Sequence, residues 1–117
     1  MVKISGKAKL LQIYIGESDR YKGKPLYRAI VNLAKKEGLA GATVTRAILG
    51  FGANSRIHSA NILRLSEDLP VMISIVDSEE YINKILPKLD EMVPEGLITV
   101  QDVDIIKYRP NPQSEKQ

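Results

Sequence analysis

The order of elements along this chain predicts an α+β fold of the ferredoxin-like type, βαββαβ. In it an antiparallel four-stranded sheet carries two helices on one face. Two segments show apolar residues at 3.6-residue spacing, and each is flanked by strand-like runs. The two βαβ halves match in pattern though not in sequence. Length agrees: 117 residues, 44% hydrophobic and 26% charged, suit a single globular domain with a core of its own.

The elements follow in order. Residues 8–15 (AKLLQIYI) alternate, with Leu11, Ile13 and Ile15 on one face and Leu10, Gln12 and Tyr14 on the other. Residues 16–23 read as a polar loop bounded by Gly16 and Gly23. A helix is expected over 24–37, with Pro25 in its first turn and Gly38 as its stop. Leu26, Ile30, Leu33, Ala34 and Glu37 follow 3.6-residue spacing, and the first four form its apolar stripe. Residues 42–49 are rich in β-branched side chains and give the second strand. Residues 53–68 have no clear period and form a long loop, which in a compact domain usually has a function.

The third strand spans 69–76 (LPVMISIV), apolar on both faces. The second helix spans 78–92, capped by Asp77 or Ser78, with Glu79 and Glu80 suited to its positive end. Ile82, Ile85, Leu86, Leu89 and Met92 form its stripe, and Pro87 predicts a kink or restart. After the turn Pro94-Glu95-Gly96, residues 97–108 form the last strand. The domain is expected over 1–109, with a polar, disordered tail over 110–117. Because the first and third strands are apolar on both faces, the sheet face without helices needs a cover. A second copy of the chain is the expected one.

Composition excludes several chemistries. No cysteine means no disulfide, no thiol nucleophile and no cysteine zinc site. One histidine, His58, cannot build a histidine-rich metal centre. Five Tyr, one Phe and no Trp are poor material for stacking single-stranded nucleic acid, so no nucleic-acid partner is expected. No apolar run approaches the ~20 residues of a membrane span, and no signal peptide is evident. A cytoplasmic location fits that pattern. Residues 1–64 hold 12 Lys/Arg against 3 Asp/Glu, and residues 65–117 hold 5 against 11. Such asymmetry gives an anion-binding face if the halves stay apart, and cancels if they interleave.

Catalysis finds little support. Ser55, His58 and Ser59 lie close together without an orienting acid. The carboxylate pairs Glu67/Asp68, Glu79/Glu80 and Asp102/Asp104 read as solvated surface charge. No enzyme activity is expected. Two features suit binding instead. Gly50-Phe51-Gly52 at a strand end permits positive φ and close backbone approach, and free amides in such a bend bind phosphate or a base edge. Lys107 and Arg109, alternating about Tyr108, suit a polyphosphate. Arg56 and His58 in the long loop are further candidate contacts.

These residues carry a family resemblance. Gly41, Thr43, Val44 and Gly50-Phe51-Gly52 resemble the second strand and loop base of PII signal-transduction proteins. Over residues 10–108 the strings IYIGESDRYKGKPLY, GFGANSRIH and ILRLSEDLPVMISIVDSEE resemble more closely a PII-like uncharacterised family, domain of unknown function 190. The resemblance implies a homotrimer with adenine nucleotides in clefts between subunits. It implies Thr43 and Gly50–Gly52 near the nucleotide and Lys107 and Arg109 near its phosphates. PII proteins carry a Gly-Asp-Gly-Lys type turn before the last strand. Pro94-Glu95-Gly96-Leu97 here lacks its lysine, which favours AMP or ADP over ATP with Mg²⁺. The implied mechanism is sensing: the nucleotide orders residues 53–68, which engage a target such as a membrane transporter or channel. Rival readings are a small-ligand or metal-responsive trimeric binding protein, an enzyme acting on nucleotide phosphates, and an RNA-binding ferredoxin-like module.

Overall fold

The computed structural model describes residues 6–51 and 69–109. Its elements are β1 (Gly6–Gly16), β2 (Arg20–Tyr21), β3 (Lys24–Pro25), α1 (Leu26–Lys36), β4 (Thr43–Arg46), β5 (Pro70–Asp77), α2 (Glu79–Met92) and β6 (Leu97–Ile105). The main sheet runs β4-β5-β1-β6, antiparallel throughout. This is the ferredoxin-like arrangement that the sequence predicts. The loop 53–68 and the tail 110–117 lie outside the described residues.

Alternation in the central strands sets the two faces. Leu11, Ile13 and Ile15 of β1 and Val71, Ile73 and Ile75 of β5 are buried under the helices. They pack with Leu26, Ile30 and Ala34 of α1 and Ile82, Ile85, Leu89 and Met92 of α2. Both predicted helical stripes therefore form the core, with Leu33 and Leu86 at its margin. The opposite face runs in rows set by register, such as Thr45–Met72–Tyr14–Leu97 and Thr43–Ser74–Gln12–Thr99. Leu10, Met72 and Val76 are only half-buried there, and Leu97 is exposed.

Local chemistry explains the element ends. Helix α1 stops at Gly38, whose φ of 82° is left-handed. The Gly38 amide donates to Lys35 O and the Leu39 amide to Ala34 O, the paired bonds of a Schellman stop. Ser78 caps α2 by accepting from the Tyr81 amide. Asp77 has a different task. It is fully buried and accepts from the Ala40 amide at 2.8 Å and the Ser78 amide at 2.7 Å, tying the α1–β4 connection to the start of α2.

Four expectations need correction. The restart offered as one outcome of Pro87 does not occur, since α2 runs as one helix from Glu79 to Met92. Both Pro87 and Asn83, whose carbonyl loses its helical donor, are exposed, so water can satisfy that carbonyl. The loop expected over 16–23 and the helix expected from 24 meet instead in a small hairpin over 20–25, turning at Lys22 and Gly23, both with positive φ, with Pro25 in β3 rather than in the first turn of α1. The strand expected over 42–49 ends at Arg46. Its neighbour β5 begins at Pro70, which accepts from the Ala47 amide but has no N–H to return. The last strand ends at Ile105, opposite Gly6, whose own φ of 66° is not extended.

The charge asymmetry is largely absorbed, because first-half and second-half strands alternate across the sheet. Lys9 pairs with Asp102 and Lys7 with Asp104 across β1 and β6, and both carboxylates stay largely exposed, as expected of surface charge. The hydrogen bond to Asp102 raises the Lys9 pKa and lowers that of Asp102. Lys88 Nζ donates to Glu37 Oε2 at 2.7 Å and holds the Glu37 carboxyl below its ordinary value of 4.5. A depressed folded-state pKa contributes stability above the ordinary value, and that contribution is lost as pH falls through the lowered one. The stability gap between wild type and Lys88→Met, from urea midpoints, is expected at pH 7 and should close on acidification. A gap that survives to about pH 2 would assign the effect to packing instead.

Candidate functional site

One end of the sheet gathers the ends of all four strands with the turn before β6. Gly16–Glu17 leaves β1 and Arg46 ends β4. Leu69–Pro70 leads into β5, and Gly96–Leu97 leads into β6. The Glu17 amide donates to Leu69 O and the Ala47 amide to Pro70 O, both at 2.8 Å. The Glu17 carboxylate accepts from Arg46 Nη2 through Oε2. One residue thus touches the chain on both sides of segment 47–69.

The glycine bend belongs to this end. Gly50 does not use left-handed backbone; among the described glycines only Gly6, Gly23, Gly38 and Gly96 have positive φ. Its smallness serves close approach, since a Cβ there would stand 3.1 Å from Pro70 Cγ. Beyond the last β4–β5 bond the chain displays its apolar side chains outward. Ile48 is 90% exposed, Leu49 81% and Phe51 67%. Three large apolar side chains exposed within four residues form an apolar patch at this end of the sheet.

Thr43 lies apart from that bend, at the start of the edge strand β4, paired with Ser74 on the face without helices. Lys107 and Arg109 lie at the opposite end of the sheet. They follow Ile105, whose partner is Gly6, whereas the bend lies beyond Gly16. The eleven-residue β1 puts roughly 30 Å between these ends. The four residues after Ile105 reach at most about 14 Å, so they cannot carry the cations back. Both cations are exposed and flank a half-buried Tyr108. A single chain therefore brings Gly50 and Phe51 together but not Lys107 and Arg109 with them. Gly52, Arg56 and His58 lie outside the described residues, as do Ser55, Ser59, Glu67 and Asp68.

Sequence reasoning missed Glu17 and Arg46. Their pairing joins residues 29 apart through the strand order, which no local motif signals. Among the described residues no group of three or more His, Cys, Asp or Glu is arranged to hold a metal ion. No described helix is long and apolar enough to cross a membrane.

Comparison with known proteins fixes the family. The family model DUF190, Uncharacterized ACR, matches residues 8–105. The UPF0166 protein MJ1524 of Methanocaldococcus jannaschii is 44% identical over 102 residues, covering 86% of this chain and 94% of its own. A UPF0166 protein of Aquifex aeolicus is 41% identical over 100 residues, with the same coverage. Among solved structures, CPII of Thiomonas intermedia K12, a nitrogen regulatory PII-like protein bound to ADP, AMP and bicarbonate, superposes with a TM-score of 0.65. It is 17% identical, over 91% of this chain and 94% of that one, a likeness of fold. With its sheet order, its two helices on one face and these relatives, the chain belongs to the DUF190 family and has the PII-like ferredoxin-like fold.

Proposed function

We propose that this protein is a PII-like signalling protein that binds an adenine nucleotide, AMP or ADP in preference to ATP, in clefts between the subunits of a homotrimer. One observation carries the reading. The glycine bend and the cation pair, each suited to part of a nucleotide, sit at opposite ends of one sheet. Only a neighbouring chain can bring Lys107 and Arg109 to the bend. The half-buried apolar face of the sheet supports such an assembly, because it needs a cover. CPII, similar in fold, was crystallised with ADP and AMP.

In this arrangement the Gly50–Gly52 amides and Phe51 line the nucleotide. Lys107 and Arg109 of the next chain take the phosphates, and Thr43 faces the shared interior. Arg56 and His58 are further phosphate contacts. The lysine-free turn Pro94–Gly96 stands at the bend end, which favours a short phosphate chain over ATP with Mg²⁺. The protein turns nothing over. Segment 53–68 reports the bound state to a target, such as a membrane transporter or channel, in the cytoplasm. Ordering a segment by a few charge-assisted contacts is an established kind of switch.

Calorimetric titration with AMP, ADP and ATP, with and without Mg²⁺, tests the proposal. The expected result is one site per chain, with affinity lowered by Gly50→Ala and about tenfold by Arg109→Ala, the loss of a charge-assisted hydrogen bond. No heat with any of the three nucleotides sinks it, and sustained release of phosphate from ADP or ATP would replace it with an enzyme.

A further inference from the structure

Glu17 and Arg46 form an ion pair that is poorly made on one side and open on the other. Only Arg46 Nη2 engages the carboxylate, through Oε2. Among the described residues no donor reaches Glu17 Oε1, although that oxygen is buried. The Glu17 side chain is 18% exposed and that of Arg46 is 59% exposed. A guanidinium has five N–H donors in a planar fork, and no other described acceptor takes one of them. Of the strand ends that meet at the glycine bend, Arg46 alone carries a positive charge. It lies one residue from the Ala47–Pro70 bond that fixes the bend, and Gly50 packs on the same Pro70. The turn Pro94–Gly96 at this end supplies no cation.

We propose that Arg46 is a phosphate contact of the bend, and that Glu17 is an internal competitor that holds it in the absence of ligand. The inference deepens the proposed nucleotide site and rests on that reading. A phosphate offers the guanidinium two oxygens in the fork geometry, where Glu17 offers one. The exchange sacrifices little on the protein side. Glu17 Oε1 already lacks a donor, and release of the carboxylate towards water lets both oxygens be solvated. Its negative charge beside Arg46 otherwise opposes any anion that approaches the bend. The Glu17 amide keeps its bond to Leu69 O, so the two sides of segment 47–69 stay in register while the side chains exchange partners.

The competitor role predicts a sign that a structural role does not. ADP and inorganic pyrophosphate are titrated by calorimetry into wild type, Glu17→Gln, Arg46→Gln and the double variant, with thermal unfolding as the folding control. Glu17→Gln is expected to tighten both ligands about fivefold. Arg46→Gln should weaken both about tenfold, and in that background Glu17→Gln should recover only a small part, because the direct repulsion is lifted but no guanidinium remains to be released. Arg46→Lys, keeping the charge without the fork, should recover only part of the affinity, and stands in if Arg46→Gln does not fold. Unchanged or weaker binding by a folded Glu17→Gln overturns the proposal while leaving the nucleotide reading intact. If ADP gives no heat but pyrophosphate follows the expected pattern, the nucleotide reading falls and the Arg46 assignment stands. If neither ligand binds, both fall.

Discussion

Gly96→Ala should lower stability by about 2–3 kcal/mol, the upper range for forcing an added methyl into a packed site. A Cβ at Gly96 would lie 2.7 Å from Tyr14 O, 3.0 Å from Val93 Cγ1 and 3.2 Å from Ile15 Cγ2. The nearest of these is backbone of the central strand β1, hydrogen-bonded on both sides, so it cannot yield as a side-chain tip would. The φ of 154° adds to the cost, because side-chain-bearing residues rarely adopt it. Urea midpoints for wild type and the variant check this, with unchanged m-values indicating that the unfolded state is not responsible. A loss under about 0.5 kcal/mol would mean that the turn shifts as a unit. The position also bears on function: this turn begins β6 at the end of the sheet that holds the glycine bend.

That role of Gly96 was only half legible in the sequence. Pro94-Glu95-Gly96 announces a turn, but the oxygen that excludes a side chain belongs to a residue 82 positions earlier. The same division runs through the fold. Features decided within a few residues could be read directly. The stripes of α1 and α2, the stop at Gly38 and the cap at Ser78 depend on neighbours at i+3 and i+4. Features decided by a partner strand could not. Residues 47–49 look like strand, yet Pro70 of β5 has no amide to continue the ladder. Residues 106–108 look like strand too, yet β6 ends at Ile105, opposite a Gly6 with left-handed φ. Pro87 looked disruptive because sequence alone does not say which face of α2 it occupies. It falls on the wet face, where a lost helical bond is replaced by water.

The site divides in the same way. Gly50-Phe51 was legible as a glycine-bearing stretch after the second strand, although that strand ends four residues earlier at Arg46 and the glycine serves contact with Pro70 rather than positive φ. Lys107 and Arg109 were legible as a cation pair, but their distance from the bend follows from strand direction. Glu17–Arg46 was invisible, because Glu17 reads as the start of a polar loop and Arg46 as one charge among β-branched neighbours. A motif can name a group that binds; only the topology tells whether one chain can use it.

Mixed assemblies should therefore bind where neither parent does. In the proposed trimer each cleft takes its glycine bend from one chain and its cations from the next. Gly50→Val is chosen to disturb the bend, because even a Cβ there stands 3.1 Å from Pro70 Cγ and a branched side chain adds bulk at that contact. Lys107→Ala/Arg109→Ala disables the cations. Homotrimers of either variant have three broken clefts and are expected to lose ADP binding. Cyclic symmetry leaves every mixed trimer, whichever variant contributes two chains, with one cleft whose bend and cations are both intact. Co-expression with two affinity tags isolates the mixed species, and titration should return roughly one third of the wild-type stoichiometry at near wild-type affinity. If the bend and the cations served one site within a single chain, mixing would restore nothing. If they served separate sites, each homotrimer would keep binding of its own. The roughly 30 Å between the two ends of β1 makes restoration by mixing the expected outcome.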